Sequence, residues 1–180
     1  IDPLLNGKTD VLIVAKPQTA FSEDDKVLVD QFLLHGGRVL WLVDQAVADM
    51  DSFKLSPYIF AIPRDLNIDD QLFRYGVRIN NDMLLDLYCN PQPIVEEIAG
   101  NPQPKLYPWV FYPIIRTSAI HPIVKNLDPI ALKFASSIDT IRSTGVKKTI
   151  LLSSSQYTRR QGVPFQIFLE GAKQQPSPAL

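Results

Sequence analysis

The chain is poor in the residues that usually carry chemistry. It has one cysteine, Cys89, and two histidines, His35 and His121, in 180 residues. One cysteine excludes an internal disulfide, and two isolated histidines offer no zinc-ligand spacing. The 8 glycines are not grouped into a phosphate-binding loop or a dinucleotide fingerprint. No Gly-x-Ser-x-Gly frame is present to hold a nucleophile on a tight turn. No apolar run approaches the ~20 residues that a spanning helix needs. The start, Ile1-Asp2-Pro3, has neither the basic nor the apolar region of a signal peptide, and no initiator Met, so the chain is expected to be a piece excised from a longer protein. Charge of one sign is also missing: 18 basic and 19 acidic side chains leave a formal net charge of −1. That balance gives no reason to expect a nucleic-acid partner. The only dense basic runs are Lys147-Lys148 and Arg159-Arg160.

What is present is a globular composition, 46% hydrophobic and 21% charged, in a length that fits one domain with a substantial core. Val11–Ala15 is a continuous apolar run, read as a strand covered on both faces. Ser22 is placed to cap a helix by accepting from the Asp25 N–H, with Glu23, Asp24 and Asp25 suiting the positive helix start. Gly36-Gly37 supplies the left-handed stop. Residues 39–43 then form a second buried strand ending at Asp44. This βαβ unit is the best-specified stretch of the chain.

Beyond it the signals thin. A short helix is expected near 46–53, and another after Asn67 as N-cap, with Asp69 and Asp70 in its first turn and Gly76 as its stop. Strands are expected at 77–79, 83–89, 133–141 and 148–153, with one helical turn at 121–126. Proline is abundant, 15 in all, and about half lie between Pro91 and Pro129. Because proline removes a backbone donor and extends the residue before it, that stretch is expected to be loops and extended segments, with 110–112 as an edge strand. Strands alternating with helices, then strands alone, predict an α/β three-layer sandwich, its sheet mostly parallel with an antiparallel edge. Residues 1–170 are expected to form a single α/β domain and 171–180 a flexible tail.

Each candidate for chemistry has a plainer reading beside it. Cys89 lacks the small neighbours of a catalytic elbow, and reads as a buried structural thiol. His35 sits where a helix C-terminus leaves orphan carbonyls, and His121 opens a turn. Ser153, Ser154 and Ser155 form a polar strand exit or a ligand contact. Asp44, Asp49 and Asp51 match no Ca²⁺-loop spacing, and Asp65, Asp69 and Asp70 read as helix-start acids. The run Leu106-Tyr107-Pro108-Trp109-Val110-Phe111-Tyr112-Pro113 reads either as core or as a docking edge, since aromatics dominate both. No catalytic residue, metal site or cofactor is assigned. Ligand or partner contacts are expected at the strand-end crevice, Lys16, Asp44 and Arg64, and at the edge, Tyr107, Trp109 and Tyr112.

Several segments taken together carry a resemblance: TDVLIVAKPQTAFSEDDKVLVDQFLLHGGRVLWLVD, ADMDSF, IPRDLNIDDQLFRYGVRIN, HPIVKNLDPI and FASSIDTI. They resemble the extracytoplasmic region of the GldG family, the gliding-motility-associated auxiliary components of ABC transporters in Bacteroidetes, over about residues 9–164. That family is similar to a wider group of ABC-transport auxiliary domains of flavodoxin-like or class I glutamine-amidotransferase-like fold, and to the GIFT domain of intraflagellar transport proteins. The resemblance implies a periplasmic, non-enzymatic domain of an inner-membrane-anchored protein, with an ABC permease and ATPase as partners. The alternatives are a solute receptor for a sugar or small polar ligand, and a hydrolase using Ser154 or Cys89 beside His121.

Overall fold

The computed structural model describes residues 7–98, 100–117 and 121–173. In chain order the elements are β1 (Val11–Ala15), α1 (Glu23–Leu34), β2 (Arg38–Leu42), β3 (Ala46–Val47), β4 (Tyr58–Pro63), α2 (Asp69–Arg74), β5 (Val77–Ile79), β6 (Asp82–Asp86), β7 (Gln92–Ile98), β8 (Asn101–Tyr107), β9 (Ile114–Thr117), β10 (Ile130–Ala131), β11 (Ile138–Thr140), β12 (Leu152–Ser153), β13 (Thr158–Gly162), β14 (Phe165–Phe168) and α3 (Leu169–Lys173). The chain divides into two compact units. The first holds residues 1–45, 64–80 and 138–146, and the second holds 46–63, 81–137 and 147–180. Residues 174–180, most of the expected tail, lie outside the described residues.

In the first unit the βαβ motif forms as its local chemistry dictates. The Ser22 hydroxyl accepts from the Asp25 N–H at 3.1 Å, and the Asp25 carboxylate accepts from the Ser22 N–H at 3.1 Å, a reciprocal capping box. At the other end Gly36 adopts φ +91°. The Gly36 N–H bonds to the Leu33 carbonyl and the Gly37 N–H to the Phe32 carbonyl, which closes α1 in a Schellman motif. Gly37 has a second reason to be glycine, because a Cβ there would fall 2.4 Å from the Phe32 ring. β1 and β2 pair in parallel, from Val11 opposite Arg38 to Ala15 opposite Leu42. α2 follows as a short helix whose Leu72 joins Leu66 and Ile68 in a small core against Phe21, Trp41 and Tyr75. β5 pairs with β11 alongside.

Several expectations are corrected here. The strands of the βαβ motif are covered on one side only: Val11, Ile13, Leu40 and Leu42 are 50%, 59%, 48% and 52% exposed, while the alternating residues are half-buried. Asn67 is not a cap, because its φ of +53° turns the chain, and its amide instead donates to the Phe21 carbonyl and the Glu23 carboxylate. The expected helix at 46–53 is β3 followed by a 3-10 turn at Met50–Lys54, where the Asp49 carboxylate accepts from the Asp51 N–H and the Ser52 hydroxyl.

The second unit overturns the expected sandwich of mostly parallel strands. Its pairings are all antiparallel: β14-β4-β3, β13-β6, β10-β9-β12 and the β7–β8 hairpin. Parallel strands need a long crossover, usually helical. Among the described residues the helices after α1 span 6 and 5 residues, too short to provide one. Within the proline-rich stretch expected to be loops and extended segments, residues 92–107 form the β7–β8 hairpin. Its register explains how prolines fit: Pro93, Pro102 and Pro104 all fall in the same alternate set of cross-strand pairs. The other set, Gln92 with Tyr107, Ile94 with Lys105 and Glu96 with Gln103, keeps its N–H groups for the ladder. Residues 110–112 form no strand, and 133–141 contributes only β11.

The core of this unit gathers Ala46, Ile59, Ala61, Met83, Ile94, Trp109, Tyr112, Phe134 and Ile167. Rings pack edge-on around Trp109, with Phe53 at 5.9 Å and Tyr112 at 6.5 Å between centroids. Asp86 is fully buried, with no ion pair among the described residues. It accepts from the Tyr88 N–H at 2.9 Å, the Ser155 N–H at 2.9 Å, the Ser155 hydroxyl at 2.5 Å and the Thr158 hydroxyl at 2.6 Å. This carboxylate pins the segment before β13 to β6. On the outer side of β4 and β14, Tyr58, Phe60, Ile62 and Phe168 remain exposed.

Candidate functional site

The strand-end crevice gathers the three polar residues expected there. β1 ends where Lys16 turns with φ +48°, its N–H bonded to the Leu42 carbonyl at 2.7 Å. That turn sets the Lys16 ammonium 3.5 Å from the Asp44 carboxylate at the end of β2. The Arg64 guanidinium donates to the Pro17 carbonyl at 3.2 Å, and the Arg64 N–H donates to the Gln45 carbonyl at 2.8 Å. Behind them Gln45 is buried, its amide nitrogen 3.4 Å from the Asp69 carboxylate, and its amide oxygen has no donor among the described residues. Burial, with the Asp65 and Asp70 charges added to it, pushes the Asp69 carboxyl up. Lys16 and Asp44 are partly exposed and pair with each other, which is worth at most about 1 kcal/mol. Two cations, two acids and a buried amide at the C-terminal ends of parallel strands suit recognition of a polar surface. They do not assemble a nucleophile with a base.

The residues expected at the aromatic edge separate. Trp109 and Tyr112 are 1% and 4% exposed and belong to the core of the second unit, the other reading of that run. Tyr107 is half-buried at the end of β8, under the Lys105 ammonium at 5.2 Å.

The groups weighed for catalysis are occupied otherwise. Cys89 is buried and forms an isolated bridge with Pro113. Burial pushes its thiol up, a Trp109 backbone hydrogen bond opposes that, and the Asp86 charge adds to it. A thiol in that setting is not poised as a thiolate. The His121 ring accepts from the Ile123 N–H at 3.3 Å. The His35 ring lies 2.7 Å from the Gln31 carbonyl, as its place at the end of α1 suggested. Among the described residues no group of three or more His, Cys, Asp or Glu could hold a metal ion. No helix among them is long and apolar enough to cross a membrane.

Two features escaped the sequence. The exposed apolar face of β1 and β2 was hidden because both faces of these strands are apolar. Arg159, on β13, lines two adjoining cavities of the second unit, and only the β6–β13 register shows which side of the strand it takes.

The internally paired polar side chains at these strand ends have the chemistry of a surface that binds a polar partner. A family model described as ABC-type uncharacterized transport system matches residues 2–180. The chain belongs to this ABC transport auxiliary family, and so to the accessory components of an ABC-type transport system. The match is broader than the gliding-associated group that its segments resemble. No curated protein and no solved structure matches the chain.

Proposed function

We propose that the chain is a non-catalytic, extracytoplasmic accessory domain that binds the permease of its ABC transport system, in an assembly completed by the ATPase. The observation that carries this reading is the open face of the β1–β2 ribbon. Parallel strands are ordinarily covered on both faces, yet Val11, Ile13, Leu40 and Leu42 face outward about half exposed. Membership of a transport-accessory family supplies the partner: another component of the same system. Lys16, Asp44 and Arg64 form a polar rim at one end of this face, as interfaces commonly have around an apolar centre. The gliding association and the periplasmic side rest on the resemblance of the segments quoted above.

Co-expression of the chain with the permease and ATPase of its system, followed by co-purification, tests this. Each half-exposed aliphatic side chain has about 1 kcal/mol still to gain on full burial, and an unpaired glutamate buried there costs more. Ile13→Glu with Leu40→Glu should therefore lower affinity by about a hundredfold or more. Alanine at Lys16 and Asp44 should chiefly alter the association rate and its salt dependence. Full binding by the doubly substituted, folded chain would remove the proposal.

A further inference from the structure

The second unit contains a cavity that the docking role does not use. Its position follows from strand alternation. In the β6–β13 pair, Arg159 lies opposite Leu85 and Gln161 opposite Met83, on one face. Thr158 and Arg160 take the other face, where Thr158 donates to Asp86 and Arg160 approaches Asp82 at 3.9 Å. The two adjacent arginines are thus divided: Arg160 belongs to an ion pair, while the Arg159 side chain has no ion pair or hydrogen bond among the described residues.

Arg159 stands where two cavities meet. One, of about 230 Å³, is lined by Phe111, Phe165 and Phe168 together with Gln161, Gln166 and Arg159. The other, of about 240 Å³, is lined by Leu87 and Tyr157, and shares Leu85, Val110 and Arg159 with the first. The walls of the first cavity are mainly apolar and aromatic, with Phe111 stacked on Phe165 at 6.0 Å, while those of the second are mixed. Among the described residues, the only charged one lining either cavity is Arg159, and no carboxylate lines them beside it. The floor includes Trp109, whose buried indole N–H has no acceptor among the described residues.

We infer that this cavity binds a small organic monoanion: a carboxylate held by Arg159, carried on a flat or short apolar body that lies against the Phe111–Phe165 stack. Size and charge select that class. Each cavity is below the roughly 300–1,000 Å³ of sites for drug-sized ligands, so a ring with a short chain fits better than a nucleotide. A single guanidinium matches one carboxylate, which it can take in bidentate fashion, whereas a doubly charged phosphate would leave charge unmatched. The side-chain amides of Gln161 and Gln166 add donors at the mouth. The site does not depend on the permease-binding role, because it lies wholly within the second unit.

The chain has two tryptophans, Trp41 in the first unit and Trp109 in the cavity floor. Trp41→Phe therefore makes fluorescence a report on the cavity, and calorimetry on the unaltered chain repeats the measurement without it. The probes are 4-phenylbutyrate, 4-phenylbutanol and 4-phenylbutylamine. The expected result is saturable binding of the acid, at least about tenfold tighter than the alcohol, with the amine weakest. Arg159→Gln should bring the acid down to the level of the alcohol, and Arg159→Lys should restore part of the preference. Arg159 is exposed and unpaired, so these variants should keep the melting temperature of the parent. Equal affinity for acid and alcohol, an acid affinity unchanged in Arg159→Gln, or no saturable binding by any probe would each overturn the inference.

Discussion

Removing the Asp86 carboxylate should be the most damaging single polar change in the second unit. The group is fully buried and accepts four hydrogen bonds, two from backbone N–H groups and two from the Ser155 and Thr158 hydroxyls. A hydrogen bond to a charged group contributes roughly 1.5–3 kcal/mol, and a buried donor left without a partner costs about 1–3 kcal/mol. The four do not add, because opening the 155–158 segment lets water reach its donors. Asp86→Ala should therefore cost about 3–5 kcal/mol, a large part of a typical domain's stability. Asp86→Asn keeps one acceptor oxygen but turns an NH₂ toward the donors, and should cost about 2 kcal/mol. The pH dependence has a definite sign. Burial alone would raise this carboxyl, but the Ser155 and Thr158 hydroxyls and the Ser155 and Tyr88 N–H groups outweigh it and hold it below the usual aspartate range. Its contribution is thus complete above about pH 4 and is lost as pH falls through the lower folded value. Urea unfolding followed by Trp109 fluorescence in a Trp41→Phe background, at neutral and acid pH, measures both effects. An Asn variant within about 0.5 kcal/mol of its parent, with an unchanged acid limb, would refute the reasoning.

Two further outcomes follow from buried groups elsewhere. The Tyr75 hydroxyl donates to Asp30 at 2.8 Å and accepts from Gln71 at 3.0 Å, which ties α2 to α1. Tyr75→Phe should cost about 1–2 kcal/mol in thermal or chemical unfolding. Burial and then the Asp30 bond push the Tyr75 phenol up to about 12, so absorbance at ~295 nm should show it titrating last, and its share of stability should fade only above about pH 10. Cys89, with its thiol pushed up by burial, should react with a disulfide reagent at least about a hundredfold faster after unfolding than before; prompt reaction of the folded chain would contradict the placement of that side chain.

The parts that were legible in the sequence are those set by neighbours a few residues apart. Ser22, Asp25 and Gly36-Gly37 specify the start and end of α1 locally, and β1 and β2 follow from apolar runs beside it. Extending one βαβ motif to a whole parallel sheet failed because no later helix among the described residues is long enough to carry a crossover. The strand Tyr58–Pro63 was not among the expected strands, because its outer residues Tyr58, Phe60 and Ile62 are as apolar as its buried ones, which hides the alternation. Counting prolines predicted loops and extended segments between Pro91 and Pro129, without a paired hairpin among them. Their effect depends on which cross-strand pairs they enter, and that parity is a property of the hairpin register. The same holds for Arg159 and Arg160, adjacent and chemically identical until the pairing with β6 sends them to opposite faces. Lys16, Asp44 and Arg64 were chosen because two lie at strand ends, and the structure brings Lys16 beside Asp44 and Arg64 onto the Pro17 carbonyl, whereas Trp109 and Tyr112 belong to the core because the aromatic run crosses the middle of the second unit.

The central claim is that the open face of the parallel ribbon meets the permease. Hydrogen exchange on the chain alone and in the purified permease–ATPase assembly tests it without any substitution. The account predicts added protection at residues 11–15 and 38–42 in the assembly, with the Arg159 cavity unchanged. Protection confined to the second unit, with β1 and β2 exchanging as they do in the free chain, would contradict it.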